Sequence, residues 1–428
     1  MVEIKRLKGT RDYEPEKAEM LFNIIKAGRK IFSKYGFLPL DTSSLERWET
    51  LISKDVNAGE EIKRQTYNFK DIGGKHIGLR YDLTISLIRY VVEHKNLILP
   101  FKRYQIGKVY RYEEAKRSRY REFYQFDLDV IGGKSFLYDA ELLKIANEFF
   151  DELGIKNHVT LINNRKFAYT FINKKLGVKE ENIPNVMRII DKIDKITYEE
   201  FAESMKKFVS LPIKDIKDIY ALLKEEFYNA KDFSSAFGVN EEELIVLEDA
   251  LKSMNVKNYA FSMKIVRGLG YYTSNVFETF IRDYKQIGSI GGGGRYDNVF
   301  DKILKMHIPC VGYSFGVDRI IDYLTAKNSK RALLDVYIGY VSEENIKDAI
   351  YIRDVLKNAG LRACVIYDHK SLTNQIRHAD RLKIEHFIIV GKRDLEKGMV
   401  TYRNLRTGEE RKIGIKELKV LKDVVCRN

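Results

Sequence analysis

Cysteine is scarce in this 428-residue chain: Cys310, Cys364 and Cys426 are odd in number and far apart. They supply neither a disulfide framework nor a zinc-ligand spacing, so a reducing compartment is expected. The histidines include no H-E-x-x-H pair, which removes that helix-borne zinc site and leaves no residue assigned to a metal. The opening MVEIKRLKGT lacks the apolar core of a secretory signal, and no apolar run approaches the ~20 residues that cross a bilayer. A cytoplasmic protein with no membrane partner is expected. The glycine run at 291–294 is not followed by Lys-Ser/Thr, so it is not a P-loop. No Ser-His or Cys-His arrangement marks a protein nucleophile, and no repeat or low-complexity tract appears.

What is present is a soluble, globular composition, 44% hydrophobic and 32% charged, long enough for two or three domains. Lysine and arginine number 75 against 61 acidic residues, leaving a net charge of +14 that suits a polyanionic partner.

Residues 101–129, FKRYQIGKVYRYEEAKRSRYREFYQFDLD, alternate, break into a basic loop and alternate again. The pattern predicts a hairpin whose tip carries Lys116, Arg117, Arg119 and Arg121. In its second half Tyr124, Phe126, Leu128 and Val130 share one face, and Gln125, Asp127 and Asp129 the other. Such a strand closes a core behind it and lines a polar site in front. In the first half Gln105, Gly107, Val109 and Arg111 share a face, Gly107 leaving room for a ligand or a neighbouring backbone.

Around this hairpin, Glu14 and Pro15 open a long amphipathic helix that Gly36 stops, and a short strand follows at 37–40. Residues 77–84 read as a strand entering a helix over 85–92, with Asp82 and Thr84 at the junction as caps, ligand contacts or both. A helix over 138–153 ends at Gly154. Residues 164–257 turn lysine- and glutamate-rich and helical, separated at Pro184, Pro212 and Gly238, with amphipathic stretches over 216–227 and 241–254. A strand pattern returns over 261–280 and again at the glycine-rich 290–296, where close approach of a flat ligand is possible. Arg319 falls in the early turn of a helix over 320–326, against the helix dipole. It needs an anionic partner, either a neighbouring carboxylate or a phosphate. From about 333 the chain alternates strand and helix: strands over 336–341, 363–367, 387–390 and 400–405, helices over 345–358 and 372–383, and a closing helix. An α/β module with parallel pairing and a basic side at Lys370, Arg377, Arg381 and Lys383 is expected.

Arg111, Arg267 and Arg319 lie far apart in sequence, and guanidinium forks match phosphate and carboxylate geometry. Asp82, Gln125 and Asp129 suit a cationic or hydrogen-bond-donating small molecule. A pocket for both a carboxylate and an amine is an amino-acid site. Joining an amino acid to ATP requires alignment and charge stabilisation at the α-phosphate rather than a nucleophile.

The motifs K-G-T-R-D at Lys8, L-R-Y-D-L-T at Leu79, V-Y-R-Y-E at Val109 and Y-R-E-F-Y-Q-F-D-L-D ending at Asp129 stand in that order. They are followed by R-G-L-G-Y-Y-T at Arg267, G-G-R-Y-D at Gly293, G-V-D-R at Gly316 and S-L-T-N-Q-I-R-H-A-D at Ser371. Over essentially its whole length the chain resembles the class II aminoacyl-tRNA synthetases, and among them the histidyl-tRNA synthetase family of archaeal or eukaryotic type. The resemblance implies an α+β fold: an antiparallel sheet flanked by helices (residues 1–163 and 258–328) with a helical insertion (164–257) and a C-terminal α/β anticodon-binding domain (333–428).

It further implies activation of L-histidine by ATP, with Mg2+, to histidyl-adenylate and pyrophosphate, and transfer of histidine to the 3' end of tRNA(His) by a homodimer. In that scheme Arg111 resembles the arginine bridging α-phosphate and carboxylate, and Arg267 an electrophilic aid at the α-phosphate that also faces histidine. Glu113 and Phe123 resemble adenine contacts, Arg119 a further ATP contact, and Arg319 the γ-phosphate arginine. Asp82, Thr84 and Gln125 would hold the α-amino group, while Asp129, Tyr271 and Tyr272 would read the imidazole. Three positions depart from the family pattern: Ser43 replaces a usual proline, Gly270 a usual aspartate, and E-A-K-R-S from Glu114 differs from the bacterial loop. The competing reading is a non-catalytic histidine- or tRNA-sensing paralogue. Retention of Arg111, Arg267 and Arg319 and of a C-terminal module argues against it.

Overall fold

The computed structural model describes residues 4–53, 60–114, 119–266, 272–327, 332–368 and 371–425. Numbered along the chain, its strands begin with β1 Leu38–Pro39, β2 Leu45–Arg47, β3 Asn68–Lys70, β4 His76–Leu79, β5 Phe101–Tyr110, β6 Glu122–Ile131, β7 His158–Asn164 and β8 Tyr259–Phe261. They continue with β9 Asn275–Ile281, β10 Gly291–Arg295, β11 Cys310–Gly316, β12 Val336–Tyr340, β13 Ala363–Cys364, β14 His386–Val390, β15 Met399–Asn404 and β16 Glu410–Gly414. The chain forms two units, residues 1–12 with 21–324 and residues 13–20 with 325–428.

In the first unit the expected hairpin is the centre of an eight-stranded sheet of order β1-β5-β6-β11-β10-β9-β7-β8. β5 and β6 pair antiparallel from Phe101↔Ile131 to Tyr110↔Glu122. The outermost pairs, β1–β5 and β7–β8, are parallel and those between them antiparallel. Behind β6, Phe126, Leu128 and Val130 are fully buried. Phe126 packs edge-on against Phe32 of the helix Pro15–Lys34 and Phe149 of the helix Leu137–Glu152, with ring centroids 4.7 and 6.2 Å away. Each ring so buried contributes about 1.5–3 kcal/mol. The helix Pro15–Lys34 comes this close because Gly28 faces Phe126, where a Cβ would collide with the ring. Of a small antiparallel sheet, β2-β4-β3, only β4 was legible, as the start of the strand expected over 77–84; β2 and β3 are three residues each and mostly exposed, so no alternation develops.

Between β7 and β8 run the helices Arg165–Thr170, Ile183–Ile190, Tyr198–Lys206, Ile213–Leu223, Ala230–Phe237 and Glu242–Ser253. Thr197 and Glu200 form a reciprocal capping box, and Gly238, at φ +60°, closes the fifth helix. Pro184 lies in a helix's first turn instead of separating segments, since its missing N–H has no partner to lose there. The helix expected over 216–227 stops at Leu223 because Phe227 makes an antiparallel bridge with Phe261.

The continuous strand pattern expected over 261–280 is also corrected. β8 ends at Phe261 and β9 starts at Asn275, and the two flank β7 on opposite sides. The chain must leave the sheet between them. Arg267, Gly270 and Tyr271 fall in this connection and, like Lys116, Arg117, Lys370 and Cys426, lie outside the described residues.

In the second unit a five-stranded sheet has the order β13-β12-β14-β15-β16. Parallel pairing holds only for β13-β12-β14; β15 and β16 add antiparallel. The connection at 391–398 is shorter than the dozen or so residues a parallel crossover requires. The strand expected over 363–367 shortens to Ala363–Cys364, and β16 was not anticipated. No helix among the described residues is long and apolar enough to cross a membrane.

Glycine supports the sheet's tight pairing in a testable way. A Cβ at Gly293 would run into the Gly312 carbonyl of the neighbouring strand, whereas one at Gly154, at φ +74°, meets nothing within 4 Å. Gly293→Ala should cost about 1–3 kcal/mol or more, and Gly154→Ala only about 1 kcal/mol of backbone strain. Equal losses in urea denaturation would contradict this packing.

Candidate active site

The register of three strands builds the site's floor. Arg103, Gln105 and Gly107 of β5 lie opposite Asp129, Asp127 and Gln125 of β6, which lie opposite Gly312, Ser314 and Gly316 of β11. The β6 front is therefore flanked by Arg103 and Gln105 on one side and by small residues on the other. Above it opens a cavity of about 990 Å³. Asp82, Thr84, Arg111, Glu113, Arg119, Phe123, Gln125, Asp129, Tyr272 and Arg319 all line it. Of the residues given a role in ATP or histidine binding, Arg267 and Tyr271 are missing from this group, being outside the described residues.

One lobe is cationic. Arg111 lies between two rings, its guanidinium carbon 4.3 Å from the Tyr81 centroid and 5.1 Å from that of Phe123. Its Nε donates to the Tyr81 carbonyl (3.2 Å). No carboxylate among the described residues is within ion-pair distance of it. The rings hold the cation in place without neutralising it. Arg319 donates to the Ser289 carbonyl (2.6 Å), and Arg119 reaches Glu113 at 3.5 Å. The helix Val317–Lys327 that carries Arg319 is tied down by its neighbour Asp318. That carboxylate accepts the Tyr124 backbone N–H (2.7 Å) and pairs with Arg11 of the K-G-T-R-D segment. Arg11 also bonds Asp322 (2.8 Å) and the Tyr120 hydroxyl (3.0 Å). The sequence reading left Arg11 without a role.

The other lobe is acidic. Asp82 accepts the Ile85 N–H through Oδ1 (2.9 Å), capping the helix Thr84–Glu93, while its buried Oδ2 has no partner. Burial pushes its carboxyl above the ordinary range, against the Ile85 amide and the Arg111 charge. Gln125 donates through Nε2 to Ser314 Oγ (3.0 Å) and keeps Oε1 unpartnered. Asp129 is committed on both sides: Oδ2 pairs with Arg103 (2.7 Å) and Oδ1 accepts the Tyr296 hydroxyl (2.6 Å). Arg103 and Tyr296 were missed, although Arg103 shares the parity of Gln105 and Gly107 and could have been found from it. The space at Gly107, expected for a ligand or a backbone, holds the Arg80 guanidinium.

Asp127, recognised on the polar face but given no role, is 4% exposed and pushed up to about 7, chiefly by burial and then by the charge of Asp129, with Arg103 opposing. Unfolding would let it ionise at its ordinary 3.8, so its burden on stability is absent below about pH 4 and complete above about pH 7. Asp127→Asn should therefore raise the thermal midpoint by an amount that grows from pH 5 to pH 8. A pH-independent gain, or a loss, would exclude this environment.

A family model described as histidyl-tRNA synthetase matches residues 9–320, and one described as anticodon binding domain matches residues 335–421. The histidine–tRNA ligase of Pyrococcus furiosus is 34% identical over 432 residues, covering 97% of this chain and 98% of that protein. The crystal structure of histidyl-tRNA synthetase from Nostoc sp. PCC 7120 superposes with a TM-score of 0.83 at 26% identity, covering 99% of this chain and all of that one. A Bacillus halodurans structure described as an ATP phosphoribosyltransferase regulatory subunit/histidyl-tRNA synthetase gives 0.73 at 20% identity, over 92% of this chain and 99% of that one. At that identity the likeness concerns the fold alone. The near-full-length sequence match and the two family models agree: the chain belongs to the histidyl-tRNA synthetase family.

Proposed function

We infer that the chain is a histidine–tRNA ligase that forms histidyl-adenylate from L-histidine and ATP and passes the histidine to tRNA(His). The observation that carries the reading is one cavity with an acidic lobe beside a cationic one, a division that suits a zwitterion lying next to a triphosphate. In the first step a carboxylate oxygen of histidine attacks the α-phosphorus, the bond to the β-phosphate oxygen breaks, and pyrophosphate leaves. Arg111, held between Tyr81 and Phe123 with no carboxylate among the described residues at ion-pair distance, suits both the approaching carboxylate and the charge developing on the α-phosphate. In the second step a hydroxyl at the tRNA 3' end attacks the carbonyl carbon and AMP leaves.

Glu113 and Phe123 are assigned to adenine, and Arg119 and Arg319 to the outer phosphates. Asp82, Thr84 and Gln125 are assigned to the α-amino group, Arg267 to the α-phosphate and the histidine beside it, and Tyr271 and Tyr272 to the imidazole. Asp129 acts on the imidazole side, with Arg103 and Tyr296 holding it. Mg2+ would arrive on the triphosphate, because no group of three or more His, Cys, Asp or Glu among the described residues is placed to hold it and this ion keeps water and phosphate ligands.

Residues 1–163 and 258–328 are assigned to catalysis, 164–257 to the insertion and 333–428 to the anticodon. The net charge of +14 supports a nucleic-acid partner. The exposed apolar side chains Leu38, Leu45 and Phe69 support a homodimer, and the few cysteines a cytoplasmic location. The sensing-paralogue alternative is disfavoured by the anticodon-binding match and by the standing arginines.

ATP–pyrophosphate exchange with each of the twenty amino acids tests the reading; exchange stimulated by an amino acid other than histidine would refute it. Arg111→Ala should lower histidine-dependent exchange by about 10²-fold or more, and near-normal exchange would remove Arg111 from its role. Asp129→Ala is a poor probe of recognition, since it strands the buried Arg103 charge.

A further inference from the structure

Apart from Asp129 Oδ2, which is ion-paired with Arg103, three acceptor atoms in the acidic lobe are buried and without a hydrogen-bond partner: Asp82 Oδ2, Gln125 Oε1 and Asp127 Oδ1. Their residues are at most partly exposed and line the same cavity. An acceptor so placed costs about 1–3 kcal/mol unless a ligand supplies a donor. Only one common group of a small zwitterion brings three donors and no acceptor, an ammonium. A carboxylate or a phosphate would be repelled here.

The neighbours explain why these atoms are left open. Ser314 has a single hydroxyl proton; it accepts from Gln125 Nε2 and bonds Asp127. That relay turns Gln125 Oε1 away from Ser314. Asp129, the other carboxylate on this strand face, is engaged by Arg103 and Tyr296. The available charge on β6 is therefore that of Asp127.

We propose that Asp127 contacts the α-ammonium of the bound amino acid directly, completing with Asp82 and Gln125 a cradle of three acceptors. The inference rests on the reading of the cavity as an amino-acid-activating site and adds to it a residue that the sequence reading left without a role. It also predicts a proton linkage. Around Asp127 stand Asp129 on its own strand, Arg103 on β5, Asp82 and Arg80 on the segment after β4, and neutral Ser314 on β11. With these neighbours and full burial the carboxyl is pushed up to about 7, so the empty site holds a proton there in part at neutral pH. Capture of a cation favours the ionised form, and a proton is released.

Titration calorimetry on the full chain tests this with three ligands: L-histidine, histidinol, which lacks the carboxylate, and 3-(imidazol-4-yl)propionate, which lacks the amine. Asp127→Asn should weaken histidine and histidinol by about 10-fold or more, the range of a charge-assisted hydrogen bond, and change the propionate by less than about 2-fold. Repeating the histidine titration at pH 7 in buffers of different ionisation enthalpy should show the wild type releasing a larger fraction of a proton than the variant. The variant's thermal midpoint, measured alongside, confirms that it folds. Equal weakening of all three ligands, or unchanged histidine affinity with unchanged proton release, would overturn the proposal while leaving the enzyme reading intact. A wild-type protein that bound none of the three would overturn both.

Discussion

Strand β6 is hydrogen-bonded on both edges, to β5 and to β11, and that double ladder determines which of its residues see the core and which the cavity. A slip of one residue would turn Phe126 and Leu128 to the front and Asp127 and Asp129 into the aromatic core. The apolar half of the alternation thus holds the polar half in place. Helix Pro15–Lys34 adds to the constraint by pressing Phe32 on Phe126 at a point where only glycine fits opposite.

On that rigid strand and around it the protein keeps several buried charges, and they fall into two kinds. Arg103 with Asp129, Arg295 with Asp139, and Arg11 with Asp318 are matched pairs. Such pairs contribute little net stability, since desolvation offsets most of the attraction, but breaking one is costly, so they hold geometry. Asp82 and Asp127 are the second kind, buried with an oxygen left open. The empty site is destabilised at these points, and a ligand that supplies N–H donors relieves it.

The K-G-T-R-D segment fastens the cationic side of the site. Arg11 reaches Asp318, Asp322 and Tyr120, while the Gly9 carbonyl accepts the Arg121 N–H at 2.7 Å. The returning arm of the hairpin and the helix start bearing Arg319 are thereby fastened to one short stretch. Asp318 repeats the fastening from the other side by accepting the Tyr124 amide. A residue whose local sequence suggests only a surface arginine is thus almost wholly enclosed.

The period-two pattern of residues 101–131 determined by itself the hairpin, its two faces and the polar residues Gln125, Asp127 and Asp129 that β6 turns to the cavity, because strand geometry ties side-chain direction to parity. The helix boundaries at Pro15, Gly36, Gly154 and Gly238 were equally local, set by backbone chemistry at single residues. What the sequence could not determine depended on partners distant along the chain. The turn-off after Phe261 follows from β8 and β9 lying on opposite sides of β7, and the antiparallel β15 and β16 from a connection too short to cross. Likewise Asp129 is occupied and Asp127 open only because Arg103, Tyr296 and Ser314 arrive from other parts of the chain. Spacing along one strand says which way a carboxylate points; only the assembled sheet decides whether something in the protein already answers it.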